Sequence, residues 1–214
     1  MQMLAFHDLG LVRFDKFMHM QNMLWEQRVE NQIPDTILFA EHPVCISLGA
    51  RSVEFQLPHI RVPQSELVRR DIRVFKTRRG GSLTIHAPGI LGCYVIAKCT
   101  NVVNSVRSLE LLARDTFKHF GVDTASLPNG ATNKPQYHGA WTGKGKIASI
   151  GMHIARGVTR FGLNINVNTE HSLLTLVHPC GIEEYELTTM AQMGCSASVS
   201  DVALATKQVA ASTL

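Results

Sequence analysis

The chain has 214 residues, of which 45% are hydrophobic and 18% are charged, and its formal net charge is +4. These values are typical of a globular protein and exclude a disordered, fibrous or membrane-spanning chain. Lysine and arginine are scattered without interleaved aromatic residues, so we expect no nucleic-acid partner and no membrane partner. The five cysteines form no CxxC pair, and the first residues lack the pattern of a signal peptide. We therefore expect free thiols and a cytoplasmic location.

The first half of the chain mixes strand and helix patterns. Met3 to Phe6 is a short apolar stretch that predicts a strand, and the helical spacing of apolar residues from Phe14 to Val29 predicts a helix. Pro34 and Asp35 are expected to end this helix. Further apolar runs predict strands at residues 36–40, 44–48, 71–76 and 91–98, with a turn at residues 78–81.

The second half begins with another long helix, predicted from apolar residues spaced between Val102 and Phe120. Gly121 stands where a left-handed C-terminal residue is expected. Stretches separated by glycines predict strands at residues 137–142, 147–154 and 158–168, and Ser198 or Ser200 is expected to cap a last helix. Because this order lacks a strict βαβ rhythm, we predict one α+β domain over residues 1–214 with a mixed or antiparallel sheet.

Cys180 is the candidate nucleophile. It follows Pro179, which restricts the backbone before the thiol, and precedes Gly181, which permits close approach of a substrate. Cys45 and Cys93 lie within apolar runs and are expected to be small core residues. Because Pro-Cys-Gly is a short motif, a purely structural turn stays open as the alternative.

A nucleophilic thiol needs a base or a nearby cation. The candidates are His178, His86, His153 and the lysines on either side of Gly145, which are Lys144 and Lys146. Lys146 precedes an apolar run, and a lysine at the start of a buried strand is held in place and partly desolvated. The alternative is a lysine on a solvated turn.

A second candidate site runs from Arg79 through Gly80 and Gly81 to Thr84 and His86. Consecutive glycines can present backbone N–H groups to a phosphate, a carboxylate or an oxyanion, and the alternative is a plain hairpin turn. Thr84 and His86 alternate along a strand and are expected to share one face. We find no metal-binding spacing among the histidines and no dinucleotide or P-loop motif, so no metal and no cofactor is expected.

Several segments, taken in order, resemble the lipoyl (octanoyl) transferase family. They are residues 79–89 (RGGSLTIHAPG), 145–151 (GKIASIG), 162–168 (GLNINVN) and 179–182 (PCGI), with the earlier 41–43 (EHP). The resemblance extends from about residue 36 to about residue 190. Ile90, Ala87 and Phe161 differ from the residues that are common in the family.

This resemblance implies an octanoyltransferase of lipoate biosynthesis with the fold of the biotin and lipoate protein ligases. Cys180 would take the octanoyl group from octanoyl-acyl carrier protein as a thioester, with Lys146 as its base. The group would then pass to a lysine on lipoyl domains of 2-oxoacid dehydrogenase subunits or on the glycine cleavage H protein. No cofactor is implied, and we expect a monomer whose basic surface aids encounter with acidic partners.

The resemblance also implies which residues line the acyl site. They fall into three segments: Arg79, Gly80, Gly81, Ser82, Leu83, Thr84, Ile85 and His86; Ser149, Ile150 and Gly151; and Gly162, Leu163 and Asn164.

Three other functions stay open at this point. An ATP-dependent lipoate or biotin ligase would use a lysine without needing Cys180. A thioesterase would replace the acceptor amine with water. A non-catalytic protein would only dock acyl carrier or lipoyl domains.

Overall fold

The computed structural model describes residues 4–50, 59–127, 137–178 and 186–213. In these ranges the strands are β1 (Leu4–Leu11), β2 (Asp35–Glu41), β3 (Cys45–Leu48), β4 (Arg73–Lys76), β5 (Leu83–His86), β6 (Ile90–Ile96), β7 (Gly139–Thr142), β8 (Gly145–Ala155) and β9 (Val158–Asn166). The helices are α1 (Phe14–Val29), α2 (Gln64–Arg69), α3 (Val102–His119), α4 (His171–Leu174) and α5 (Val199–Thr213).

Two mixed sheets organise the molecule. The larger has the order β1-β2-β6-β9-β8-β7, in which only β1 and β2 pair in parallel. The smaller has the order β4-β3-β5, with β3 parallel to β4 and antiparallel to β5. The predicted α+β class with mixed sheets is therefore confirmed.

Helices α3 and α5 cover one face of the large sheet. The buried residues between them include Leu109, Leu112 and Phe117 of α3, packed with Leu163 and Ile165 of β9. The Asn101 side chain accepts hydrogen bonds from two amides of the first turn of α3, and Gly121 adopts the predicted left-handed conformation (φ +68°) after its end. The apolar stripe of α3 is thus buried against the sheet from Leu109 to Phe117, whereas Val102 at its start is exposed.

The sequence predicts the start of α5 correctly and the end of α1 incorrectly. Ser198 caps α5, since its hydroxyl accepts from the Asp201 amide (3.1 Å) and the Asp201 carboxylate accepts from the Ser198 amide (2.9 Å). The expectation that Pro34 and Asp35 end α1 is wrong. Helix α1 ends at Val29, and the left-handed Asn31 (φ +60°) turns the chain before Asp35 begins β2.

Helix α1 packs on the opposite side, in an aromatic core with two buried histidines. His42 Nδ1 lies 2.7 Å from the Val12 carbonyl and must donate to it, so His42 Nε2 accepts from the Tyr94 hydroxyl (2.8 Å). The His86 ring lies 5.4 Å from the His42 ring and 4.7 Å from the ring of Phe14. Both histidines are therefore neutral members of the core.

We expect the free energy of unfolding to depend on pH through these two histidines. Burial lowers the pKa of His42 to about 4 and that of His86 well below its ordinary value. Below about pH 6.5 the unfolded chain binds protons that the folded chain does not, so the free energy of unfolding decreases as pH falls from 6.5 to about 4. The loss for His42 is about 3 kcal/mol, and denaturant unfolding at each pH measures it. His42→Gln should flatten the profile, whereas the exposed His19→Gln should not; equal profiles would contradict this account.

None of the helices in the described part of the chain has the length and apolar character that a membrane span requires.

Candidate active site

Lys146 is the second residue of β8, and its side chain is fully buried. Its Nζ atom lies 5.1 Å from the centre of the Trp141 ring. The side chain runs past Gly139 of β7, where a Cβ atom would lie 2.9 Å from Lys146 Cε and would also collide with the Ala148 carbonyl. Glycine at position 139 therefore leaves room for the Lys146 side chain.

Substitution of Gly139 by alanine is expected to displace Lys146. The new methyl group has no free space, and the backbone at this position has φ +146°, so both the strand and the lysine must shift. We expect the rate of the acyl transfer that the resemblance implies to fall at least about tenfold, as for a misplaced reacting group. Gly143→Ala is the matched control, because nothing lies within 4 Å of its new methyl group. Equal rates in the two variants would show that Gly139 does not hold the lysine in place.

The chain that follows residues 179–185 runs beside Lys146. The Lys146 amide donates to the Glu186 carbonyl (2.9 Å), and the Thr188 amide donates to the Lys146 carbonyl (3.0 Å). Gly145 lies so close that a side chain there would collide with the same Glu186 carbonyl. Cys180 and its motif lie outside the described residues, but the described chain on their C-terminal side is paired with the candidate base.

Arg61 joins both described flanks of that segment. Its Nη2 atom donates to Glu186 Oε1 (2.8 Å) and to His178 Nδ1 (3.1 Å). The Arg61 amide also donates to the Leu176 carbonyl, and the His178 amide donates to the His59 carbonyl (2.9 Å). One guanidinium thus connects the residues before and after the segment that carries Cys180.

Arg61→Gln is expected to lower kcat for the acyl transfer that the resemblance implies by about tenfold to a hundredfold, since small displacements of a reacting group have effects of this size. Arg70→Gln is the control, because Arg70 is an exposed arginine that pairs with Glu66 on α2. The measurement is steady-state kinetics with thermal unfolding of both variants. A fall in kcat that is no larger than that of the control would remove this role from Arg61.

The loop Arg79–Gly81 ties the small sheet to the large one. The buried Arg79 guanidinium donates to the Ser47 carbonyl (2.6 Å), and the Ala50 amide donates to the Arg79 carbonyl (2.8 Å). On its other side the Gly80 amide donates to the Met152 carbonyl (2.6 Å). The Gly80 amide is therefore not available to the expected anion-binding nest, because it is already hydrogen-bonded to β8.

The residues predicted to follow this loop alternate along β5. Leu83 and Ile85 belong to the apolar core of the small sheet, which leaves Thr84 and His86 on the other face, as expected. His86 Nε2 lies 2.9 Å from the Ser47 hydroxyl. Because His86 is neutral and bonded to Ser47, it carries no positive charge that could stabilise a thiolate.

One face of β8 and β9 collects the polar and glycine positions. Ser149 pairs with Asn164 and Gly151 pairs with Gly162, on the face opposite the core under α3 and α5. Lys146 shares this face, since its side chain passes Gly139, the cross-strand partner of Ser149. Two other predicted residues, Ile150 and Leu163, point to the opposite face because side chains alternate along a strand.

Two buried polar atoms of predicted site residues make no hydrogen bond among the described residues. They are His86 Nδ1 and Asn164 Oδ1. A buried polar atom without a partner costs about 1–3 kcal/mol, so such atoms mark candidate ligand contacts. Within the sequence-predicted set, His86 and Asn164 are therefore the residues most suited to bind a polar group.

An apolar cavity of about 530 Å³ lies between α3 and β8. We call it the main cavity; it is lined by Gly80, Gly81, Val102, Val103, Val106, Arg107, Glu110, His138, Ile150, Gly151 and Met152. It contains Gly80, Gly81, Ile150 and Gly151 of the predicted set, and the other predicted residues do not line it. Sequence reasoning missed the wall supplied by α3 and the Glu110–His138 pair (2.8 Å), because core spacing explained those valines fully.

The remaining candidate groups are accounted for by packing. Burial raises the pKa of Cys45 and of Cys93 to about 12, so both are core residues, as expected. The exposed Lys144 donates from Nζ to the Gln192 carbonyl (2.9 Å). His153 Nδ1 accepts from Arg160 Nη2 (3.0 Å). Among the described residues, no group of histidine, cysteine, aspartate and glutamate has metal-binding geometry.

Comparison with known proteins identifies the family. A model of the lipoyl protein ligase A/B catalytic domain matches residues 15–210. An octanoyltransferase of Desulforamulus reducens is 34% identical over 182 residues, which are 85% of this chain and 78% of that protein. One of Chloroflexus aggregans is 35% identical over 211 residues, which are 95% of this chain and 91% of that protein. The chain belongs to the octanoyltransferase family.

The fold expected from the resemblance is also confirmed. The crystal structure of lipoate-protein ligase A bound with ATP superimposes with a TM-score of 0.75 at 13% identity, covering 99% of this chain and 85% of that one. At this identity the likeness concerns the fold. In this chain the glycine-rich segments and Lys146 thus lie on a pair of mixed sheets with the fold of the ligases.

Proposed function

We propose that this octanoyltransferase moves an octanoyl group from octanoyl-acyl carrier protein to a lysine on lipoyl domains. The acceptors are lipoyl domains of 2-oxoacid dehydrogenase subunits and the glycine cleavage H protein. The observation that carries the proposal is the buried Lys146, paired through its backbone with Glu186, directly after the segment that contains Cys180. Arg61, which contacts both flanks of that segment, supports the same arrangement.

In the first step the Cys180 sulfur attacks the carbonyl carbon of the octanoyl thioester. Lys146 accepts the thiol proton as the new carbon–sulfur bond forms. The bond from the carbonyl carbon to the sulfur of the carrier's pantetheine arm breaks, and the departing thiolate takes the proton from Lys146. The products are octanoyl-Cys180 and the free carrier thiol, so no oxidant, reductant or cofactor is consumed.

In the second step the ε-amine of the acceptor lysine attacks the octanoyl-Cys180 carbonyl. An amide bond forms, the bond to the Cys180 sulfur breaks, and the amine proton passes through Lys146 to that sulfur. Conversion of a thioester into an amide is downhill, which is why ATP is not required. Covalent catalysis here divides one transfer into two easier steps.

The acyl chain needs an apolar space, and the main cavity lies on the α3 side of β8 rather than on the face that carries Lys146. The acyl chain would therefore enter it past Gly151, which lies on the Lys146 face and also lines the cavity. The main cavity has apolar walls from Val102, Val103, Val106 and Met152, and Gly80 and Gly81 lie at its edge. Each buried CH₂ group contributes about 0.8 kcal/mol, so an eight-carbon chain gains several kcal/mol from such a space. The predicted lining residues outside this cavity, such as His86 and Asn164, would contact the thioester end rather than the chain.

The proposal includes the remaining sequence-based expectations. Residues 1–214 act as one catalytic domain and as a monomer in the cytoplasm, without a cofactor. These expectations rest on the composition of the chain and on its five cysteines, none of which stands in a CxxC pair.

A donor comparison tests the proposal. The protein is mixed with an apo lipoyl domain and either octanoyl-acyl carrier protein without ATP or free octanoate with ATP. We expect octanoyl-lipoyl domain only from the carrier thioester. Product only from octanoate with ATP would make the protein a ligase, and octanoate release without an acceptor would make it a thioesterase. Binding of both proteins without any transfer would leave only a docking function.

A further inference from the structure

A second pocket, distinct from the main cavity, is lined by several cations. Its volume is about 420 Å³, and we call it the basic pocket; it is lined by Met18, Asn22, Lys76, Thr77, Arg78, Arg160 and Phe161. Three of these residues are cationic at neutral pH, and none carries a carboxylate. The pocket therefore combines enclosed space with an excess of positive charge.

Neighbouring acids balance the charges of this pocket only in part, since the Glu26 carboxylate acts on Arg160 from beyond ion-pair distance. Among the described residues, Lys76, Arg78 and Arg160 form no ion pair, whereas the nearby Arg156 pairs with Glu26 (2.8 Å). Each arginine that the structure does place in an ion pair has a carboxylate oxygen within 3 Å of its guanidinium. Three unpaired cations around one pocket repel one another, and an anion between them would relieve that repulsion.

Arg160 is held in place by neutral groups. Its Nη1 atom donates to Asn22 Oδ1 (2.7 Å), its Nη2 atom donates to His153 Nδ1 (3.0 Å), and its Cζ atom lies 4.3 Å from the centre of the Trp25 ring. Its Nε atom is buried and makes no hydrogen bond among the described residues. Burial first, and then the charge of Arg78, lowers the pKa of Arg160, and both residues line the basic pocket. Because Nε has no accessible surface, the donors left for a ligand are the second hydrogens of Nη1 and Nη2, and such a preoriented cation is suited to a phosphate oxygen.

The basic pocket lies on the α1 side of the large sheet and the main cavity on the α3 side, and residues 76–81 run from one to the other past the edge of β8. Lys76 and Arg78 line the one, and Gly80 and Gly81, a few residues further along the same segment, line the other. Across the sheet Phe161 lines the basic pocket and is the strand partner of Met152, which lines the main cavity. Arg160 bonds to His153, which alternates along β8 with Gly151 and Ser149 on the face that Lys146 shares. A donor whose anionic end lies in the basic pocket can therefore extend along this face toward Lys146.

We propose that the basic pocket binds the phosphate group of the acyl donor, the phosphodiester that joins the pantetheine arm to its carrier. This inference rests on the proposed function, because it assumes a thioester donor on such an arm. It goes further in assigning Lys76, Arg78 and Arg160 to the phosphate. These residues position the donor and take no part in the chemical steps.

The test compares donors and ligands that differ only in the phosphate. Calorimetry measures binding of phosphopantetheine and of pantetheine to the wild type, to Arg78→Gln, to Arg160→Gln and to Arg114→Gln. Arg114 is an exposed arginine of α3 that pairs with Asp115 and serves as the charge-matched control. Kinetics with octanoyl-phosphopantetheine and octanoyl-pantetheine then give the ratio of the two kcat/KM values for each protein.

We expect the wild type and Arg114→Gln to bind phosphopantetheine at least about tenfold more tightly than pantetheine. Arg78→Gln and Arg160→Gln should bring this preference, and the kinetic ratio, close to one. Arg160 packs on Trp25, so Arg160→Gln is the variant at risk of not folding. In that case Arg78→Gln, at an exposed position, decides the test alone. Equal binding of both ligands by the wild type, or a preference that survives in Arg78→Gln, would overturn the inference.

Two further outcomes separate this inference from the proposed function. If no donor supports transfer but the phosphate preference and its loss in Arg78→Gln are observed, the proposed function fails while the basic pocket stands. If the variants impair only the complete octanoyl-acyl carrier protein, without changing the preference for the free phosphorylated arm, the pocket binds an acidic protein surface and the phosphate assignment is wrong.

Discussion

Replacement of Lys146 by methionine is expected to lower kcat/KM for octanoyl transfer by about 10²- to 10⁴-fold, the range for removal of a general base. Methionine matches the length of the buried stem but has no proton to exchange. Since Lys146 is fully buried beside Trp141, the apolar replacement fits the same space. We therefore expect the melting temperature to be retained while the rate falls, and steady-state kinetics with thermal unfolding measures both.

Lys144→Met is the matched control for this prediction. Lys144 precedes Gly145 on the same hairpin and is exposed, and its Nζ atom donates to the Gln192 carbonyl. Its replacement should change kcat/KM by less than about twofold, as for an ordinary surface substitution. If the two lysine variants have the same activity, Lys146 is not the base.

Replacement of Cys180 by serine is expected to lower octanoyl transfer by about a thousandfold or more, because the covalent route is lost. Serine keeps the size of the side chain, so binding of the acyl donor should change little. Cys195→Ser, a half-buried cysteine after the last short turn, is the control and should retain activity.

Selective alkylation gives an independent readout of the same prediction. The raised pKa of the buried Cys45 and Cys93 protects these thiols at neutral pH, so modification is restricted to the other three cysteines. Prior incubation with octanoyl-acyl carrier protein should protect Cys180 but not Cys99 or Cys195. Full transfer activity in Cys180→Ser would contradict the covalent mechanism.

Local patterns predicted most of the elements because their causes are local. The apolar spacing from Phe14 to Val29 and from Val102 to His119 is sufficient to define α1 and α3, and Gly121 and Ser198 act as helix ends within a few residues. The six-residue α2 was missed because so short a helix has too few turns for its periodicity to be visible.

The strand order could not be predicted in the same way. The parallel pairing of β1 with β2 and the antiparallel pairing of β2 with β6 join residues that are far apart in the sequence, and no short pattern encodes them. The resemblance to a known family supplied this topology instead. It identified the ligase-like fold that the structural comparison then confirmed.

The sequence predicted which segments form the candidate site, but not how their side chains are arranged. The sequence motifs identify Lys146, but only the structure reveals that Gly139 makes room for its side chain and that Glu186 pairs with its backbone. Strand alternation divides Ser149 and Gly151 from Ile150, so a continuous motif lines two different faces. Arg61 was not predicted, because its contacts with His178 and Glu186 connect residues more than a hundred positions apart.

The most direct test of the covalent account is intact-mass analysis after mixing with octanoyl-acyl carrier protein. Wild type, Cys180→Ser and Lys146→Met are compared, and an apo lipoyl domain is then added. The account predicts one octanoyl group on the wild type, none on Cys180→Ser, slow formation on Lys146→Met, and transfer of the group to the lipoyl domain. Octanoyl-lipoyl domain formed at the wild-type rate by Cys180→Ser, without an adduct on any variant, would contradict it.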